Sequence, residues 1–209
     1  MQPSLFDSPA DSWHPVITPE DDGDVRLYPT LIDANDTPAL FDALRREIAW
    51  EQREIQVYGK RYLQPRLLAW YGDEGIRYRY SGDTLVAKPW TQNLQRLKAR
   101  CETVTQARFN SVLLNLYRDG QDAMGWHADN EPELGAEPVI ASVSLGCPRR
   151  FDLKHRSSGL RRDVLLPDGS LLVMAGRTQQ HWVHQIARSA KIQTPRINLT
   201  FRWITGQFC

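Results

Sequence analysis

Cysteine is scarce: Cys101, Cys147 and Cys209 are an odd number, widely spaced, with no CxxC pair. That excludes a disulfide framework and a zinc ribbon, and it fits a reducing compartment. Long apolar runs are missing too. No stretch reaches the roughly 20 residues that cross a bilayer as a helix, and Met1-Gln2-Pro3-Ser4-Leu5-Phe6-Asp7 shows no basic flank ahead of an apolar run. No membrane span or secretory signal is expected, and the location expected is cytoplasmic. An excess of one charge sign is the third absence. The 26 Lys and Arg against 25 Asp and Glu leave a net charge of +1, so any basic surface for nucleic acid has to be local. Heptads and internal repeats are absent as well, which points to a monomer. What is present is ordinary globular stock, 41% hydrophobic and 24% charged over 209 residues, enough for one domain with a buried core.

Residues 1–24 are rich in Pro, Asp and Ser without apolar period, and read as a flexible tail. Within it Gln2-Pro3-Ser4-Leu5-Phe6 resembles the short peptide with which bacterial replication proteins dock on the sliding clamp. The plainer reading is that Leu5 and Phe6 pack on the parent domain. Val25–Pro29 reads as a short strand ended by proline. Thr37 as N-cap, Pro38 in the first turn, and Leu40, Phe41, Leu44 and Ile48 at helical spacing predict a helix over 38–50. Trp90, Leu94 and Leu97 predict a second over 89–100. Between them, 53–87 is β-rich and glycine-punctuated. There Tyr58, Tyr62, Trp70, Tyr71, Tyr78 and Tyr80 interleave with Lys60, Arg61, Arg66, Arg77 and Arg79. Aromatic platforms among cations suit stacked bases and phosphates; a tyrosine-rich layer with solvated arginines is equally consistent.

After about residue 105 the chain turns to short strand-like runs: 110–117, 139–145, 151–153, 164–166, 170–174, 181–186 and 196–204. Asp119-Gly120, Pro167-Asp168-Gly169 and Ala175-Gly176 supply turns between them. Short strands without intervening helices mean a sandwich, jelly roll or barrel, so the fold class is mostly β with flanking helices.

His127 and Asp129 are two apart and share a face if extended, and a late histidine, 181 or 184, can complete a 2-His-1-carboxylate triad. Zinc hydrolases use the same set, so the triad alone does not choose the metal. His181 and His184 differ by three, and period alone does not say which joins His127. The last strand speaks for iron. Arg196, Asn198, Thr200 and Arg202 alternate with Ile197, Leu199, Phe201 and Trp203. Arginines facing an interior need anions there. A dicarboxylate such as 2-oxoglutarate, which chelates Fe(II) through one end, meets that need. Asn115 and Tyr117, also two apart, are candidate neutral donors to the same ligand.

Asn115-x-Tyr117, His127-x-Asp129, His184 and Arg196-x-Asn198-x-Thr200-x-Arg202 together resemble the signature of the AlkB family of Fe(II)/2-oxoglutarate dioxygenases, which reverse alkylation damage in nucleic acid. The resemblance spans roughly 55–204. It implies a double-stranded β-helix (jelly-roll) core carrying an N-terminal nucleotide-recognition lid, with 25–100 supplying helices and lid and 101–209 the core. It implies His127, Asp129 and His184 as catalytic metal ligands, with His181 structural, and Asn115, Tyr117, Arg196, Asn198 and Arg202 as 2-oxoglutarate contacts. Val57-Tyr58-Gly59-Lys60 is similar to the hairpin of the duplex-DNA branch, which implies Tyr58 as a wedge at the flipped base. By the same route Tyr78 and Tyr80 meet the base, Glu131 accepts from its exocyclic amine, and Arg149 and Arg150 hold the backbone. The implied activity is oxidative demethylation of lesions such as 1-methyladenine and 3-methylcytosine in single- or double-stranded DNA. Fe(II), 2-oxoglutarate and O2 are consumed or used, with release of formaldehyde, succinate and CO2. Other readings are the same cofactors acting on RNA or protein, or a damaged-base binding module without turnover.

Overall fold

The alternation at the end of the chain is what two packed layers require, and the computed structural model places it between them. The structure describes residues 12–57, 60–80 and 83–205. In chain order the elements are β1 (His14–Ile17), β2 (Asp24–Tyr28), α1 (Thr37–Glu47), β3 (Glu54–Val57), β4 (Lys60–Leu63) and β5 (Leu67–Gly72). Then come β6 (Arg77–Tyr80), β7 (Asp83–Val86), α2 (Gln92–Thr105), β8 (Ser111–Tyr117), β9 (Met124–His127) and β10 (Ile140–Gly146). The chain continues as β11 (Arg149–His155), β12 (Arg161–Leu166), β13 (Ser170–Ala175), the single-turn α3 (Thr178–His181), β14 (Trp182–Ile186) and β15 (Arg196–Arg202).

Strands β8 to β15 divide between two antiparallel sheets, β13-β10-β15-β8 in the larger and β12-β11-β14-β9 in the smaller. This is the double-stranded β-helix expected. The larger sheet is widened by β5 beyond β8, and by β2 and β1 beyond β13. Helices α1 and α2 cover its outer face. Leu40, Leu44, Leu94 and Leu97 pack there with Val112, Leu114, Ile197, Leu199 and Phe201. A second core lies between the sheets around Ile140, Leu153, Leu172, Met174, Trp182 and Ile186. All seven residues of β15 are therefore buried, odd-numbered ones under the helices and even-numbered ones in the interior of the roll. Two small hairpins, β3-β4 and β6-β7, stand apart from the main sheets. Among the described residues no helix is long and apolar enough to cross a membrane.

Several boundaries differ from expectation. Residues 14–17, assigned to the tail, pair with β2, and Ile17 is buried in the inter-sheet core. The N-cap position of α1 falls on Asp36, which makes no side-chain cap, rather than on Thr37, whose hydroxyl donates to Asp168 Oδ2 at 2.7 Å. Helix α2 starts later and runs five residues further, to Thr105, with Leu94, Leu97 and Cys101 on its buried face. Its N-cap is Thr91, which accepts from Leu94 N. Strand β9 was not legible because Met124-Gly125-Trp126-His127 has no alternation and lies at a half-exposed sheet edge. His181 closes α3 and is not in a strand, and Trp203 lies beyond β15, exposed.

Candidate active site

His127 is the last residue of β9 and His184 the middle of β14, and the register pairs them directly. Their rings meet edge to face with centroids 4.2 Å apart. Asp129 follows in the loop, where its backbone N–H donates to Gln179 Oε1 at 2.9 Å and Arg202 Nη2 donates to its Oδ1 at 2.6 Å. The ligand-type atoms of His127, Asp129 and His184 all lie within 4.8 Å of one another.

Protonation suits a cation. His127 Nδ1 is 2.8 Å from Gly125 O. A carbonyl only accepts, so Nδ1 carries a proton and donates, which leaves Nε2 as the ring's candidate metal-ligating atom. His184 is buried against Phe151, and burial, then the neighbouring His127, pushes its imidazole down to about 3. It is neutral at physiological pH, with Nδ1 buried and lacking a hydrogen-bond partner. Burial also raises the Asp129 carboxyl, but the Arg202 guanidinium that donates to it outweighs that and holds it below its ordinary value. Two imidazoles and an ionised carboxylate are a donor set for a divalent first-row metal.

The other end of β15 is built for an anion. Arg196 is 2% exposed. Its Nη2 donates to Ser144 Oγ at 2.9 Å, while Nε and Nη1 are buried with no hydrogen-bond partner. Burial brings the guanidinium down to about 10, and among the described residues it has no carboxylate partner. A cation that is buried and half-satisfied costs free energy unless an anion arrives. The register sets Arg196 opposite Tyr117 and Asn198 opposite Asn115. The Arg196 guanidinium lies 5.3 Å from the Tyr117 ring centroid. A cavity at the metal end is lined by Asn115, Tyr117, His127, Asp129, His184, Asn198 and Arg202, with Leu113, Met174 and Ile186 as apolar walls. Arg196 does not line it but lies against Tyr117, which does.

Not every candidate lies in that cavity as a donor to a ligand. Asn198 gives its amide hydrogens to Ser142 Oγ (2.8 Å) and Val143 O (3.1 Å), and its Oδ1 accepts from Thr200. It tethers β15 to β10. Asn115 Oδ1 accepts from Arg66 Nε at 2.7 Å. Arg149, expected on a substrate backbone, is instead interior. Its guanidinium donates to the carbonyls of Asp119, Asp122 and Ala187, and lies 5.6 Å from the Tyr117 centroid. The reason is strand parity: Arg149 and Phe151 point inward on β11, while Arg150 points out and pairs with Asp152 at 2.6 Å. Glu131 is half-buried at the head of the 3-10 turn Pro132–Leu134, two residues past Asp129. Tyr78 and Tyr80 fall on β6 of the second small hairpin, and Tyr58 lies outside the described residues, as do Gln2, Leu5 and Phe6.

Residues that sequence reasoning missed are Gln179, Ser142 and Ser144, while Arg66, read among the cations for bases and phosphates, is buried and holds Asn115 instead. The serines carried a signal, since they alternate with Ala141, Val143 and Leu145 on β10. Gln179 carried none: it reaches Asp129 across 50 residues of sequence.

A jelly roll holding a 2-His-1-carboxylate set beside a buried arginine defines a class, the 2-oxoglutarate-dependent iron oxygenases, and comparison agrees. A family model described as the 2OG-Fe(II) oxygenase superfamily matches residues 24–202. Bovine DNA oxidative demethylase ALKBH2 is 40% identical over 188 residues, covering 85% of this chain and 68% of that one. Human alpha-ketoglutarate-dependent dioxygenase alkB homolog 3 is 38% identical over 190 residues, covering 86% of this chain. This chain spans about two thirds (66%) of that relative's length. The solved structure of OsALKBH1 shares the fold, with a TM-score of 0.61 at 14% identity over 86% of this chain and 96% of that one. The chain belongs to the AlkB family of this superfamily.

Proposed function

We propose that the protein repairs DNA by oxidative demethylation of N-alkylated bases of the 1-methyladenine and 3-methylcytosine type. The observation that carries this is the shared cavity. It is lined by the two histidines and the carboxylate of the metal set and by Tyr117, behind which the Arg196 guanidinium is buried with unmet donors. The substrate class rests on relatives named DNA oxidative demethylase at 39–40% identity. Iron and 2-oxoglutarate, when bound, supply the O2-dependent oxidation that hydroxylates the N-alkyl carbon, with release of succinate, CO2 and finally formaldehyde.

The protein's share is placement. His127, Asp129 and His184 hold the metal. Arg202 keeps Asp129 ionised and oriented, which places this arginine at the metal end of the co-substrate. Arg196 takes the distal carboxylate, with Tyr117 beside it and Asn115 offering its amide. Leu113, Met174 and Ile186 exclude water around them. Glu131 suits a lesion that is cationic. Tyr58, Tyr78 and Tyr80 serve the extruded base, and Arg150 the strand's phosphates, whereas Arg149 supports the floor under Tyr117. The N-terminal Gln2-Leu5-Phe6 peptide docks on a sliding clamp, a reading that rests on its sequence alone.

The test is formaldehyde release from methylated oligonucleotides, single- and double-stranded, with and without 2-oxoglutarate. Loss of release in His127→Ala is expected; wild-type release in that variant would overturn the metal assignment. Turnover on methylated RNA or peptide with none on DNA would move the substrate. For the tail, Leu5→Ala/Phe6→Ala abolishes clamp binding, and unchanged binding retires that role.

A further inference from the structure

A second cluster of metal-ligating side chains lies outside the cavity just described. We propose that Asp22, His155 and His181 form a binding site for a divalent ion of the zinc class, which ties the β1–β2 turn to α3 and to the end of β11. The inference does not rest on the dioxygenase reading.

The three residues come from three separate places. Asp22 closes the 3-10 turn Pro19–Asp21 in the left-handed region at φ 59°, His155 ends β11, and His181 ends α3. Their ligand-type atoms all lie within 4.8 Å of one another, as do those of His127, Asp129 and His184. Among the described residues only these two groups of three or more meet that condition.

The hydrogen bonding aims the rings at a common point. His155 is 6% exposed and packs edge-on to Trp182 at 5.1 Å. Its Nδ1 is turned to Ser158 Oγ at 2.9 Å, Ser158 N at 3.2 Å and Ser157 Oγ at 3.3 Å. That leaves Nε2 facing Asp22 Oδ2 at 3.6 Å, beyond hydrogen-bond length. His181 stacks on His155 at 5.8 Å with 6° between planes, and its Nε2 is buried with no hydrogen-bond partner. A buried ring nitrogen left unmet beside a second imidazole and a carboxylate needs an explanation, and an unfilled cation site is one. Arg177 Nη1 approaches Asp22 Oδ1 at 3.4 Å and so leaves Oδ2 for the cation.

Two imidazoles and one carboxylate select a borderline transition ion over calcium or magnesium, which prefer all-oxygen shells. Zinc at about 2.0–2.1 Å from each ligand needs donors roughly 3.4 Å apart in a tetrahedron, close to the 3.6 Å between His155 Nε2 and Asp22 Oδ2. Coordination through His155 Nε2 moves that ring's proton to Nδ1, where Ser158 Oγ at 2.9 Å accepts it and orients the ring while the Ser158 N–H, now 3.2 Å from Nδ1 as a donor, gives up that contact. The half-exposed Asp22 side chain leaves a way in for the ion. Because α3 also carries Gln179, which holds Asp129, the second ion braces the support of the first site.

The probe is Zn(II) in equilibrium dialysis against the metal-free full chain. Wild type binds two equivalents, and His127→Ala/Asp129→Ala retains one. Asp22→Asn and His181→Gln, each separately conservative, also retain one, and combining either with the first pair leaves none. Zn(II) should raise the Tm of His127→Ala/Asp129→Ala but not when His181→Gln is added. No bound equivalent in His127→Ala/Asp129→Ala, or an equivalent in that background that survives both Asp22→Asn and His181→Gln, overturns the proposal.

Discussion

Arg196 and Arg202 are six residues apart on one face of β15, yet the structure gives them different work. Arg202 is bound to Asp129, so removing it strands a buried carboxylate. Arg196 has two buried donors without partners. Arg196→Gln should therefore raise the KM for 2-oxoglutarate about 100-fold, the scale of one lost buried ion pair, with Fe(II) affinity little changed. Titration of both ligands checks this, and an unaltered KM would remove Arg196 from the site. Gln179 acts through Asp129 instead. Gln179→Leu leaves the Asp129 N–H buried and unmet, which costs about 1–3 kcal/mol, and should weaken Fe(II) binding about 10- to 100-fold. Retention of wild-type Fe(II) affinity by a folded variant would show that the contact is idle.

At the scale of elements, the β8–β9 connection decides whether the two sheets meet correctly. Asp122 accepts from the Arg118 backbone N–H and guanidinium, and Gly120 lies against the segment that joins β14 to β15. A Cβ at 120 would sit 1.8 Å from Ser189 O, a backbone atom that cannot swing away. Gly120 N also donates to Ile192 O, and Ser189 N to Gly120 O. Gly120→Ala should cost roughly 2–4 kcal/mol by overpacking, measured by urea unfolding. A loss under ~0.5 kcal/mol would mean the two loops separate freely. From sequence this glycine reads only as half of an Asp-Gly turn. Its real constraint is a loop 69 residues downstream, as Ser189 shows.

For the whole molecule the same clip sets an acid limit. Burial raises the Asp122 carboxyl, but Arg118 outweighs it and the carboxyl titrates below its ordinary value of 3.8. A group lowered on folding stabilises fully above its unfolded value, and the stabilisation is lost as pH falls through the folded one. Unfolding free energy of the metal-free chain should thus fall below about pH 4, and Asp122→Asn should flatten that fall while lowering stability at pH 7. A profile unchanged by Asp122→Asn would place the acid-sensitive group elsewhere. Much of this architecture was legible beforehand. The helices, the β-rich middle and most jelly-roll strands follow from apolar period, while β9 and α3 are too short or too irregular to announce themselves.

Sequence by itself determined the faces. Period two on β15 turns Arg196, Asn198, Thr200 and Arg202 inward whatever the partner strands are, because successive side chains must point oppositely. It also put His127 and Asp129 close enough to share a cation. Only tertiary structure decided who meets whom. Register and long-range pairing set His184, not His181, beside His127; they gave Arg202 to Asp129 and left Arg196 unmatched; and they carried Arg149 inside while His181 went to Asp22 and His155. Local periodicity fixes the direction of a side chain, but its partner lies on a strand or loop dozens of residues away, and only packing brings that partner into reach.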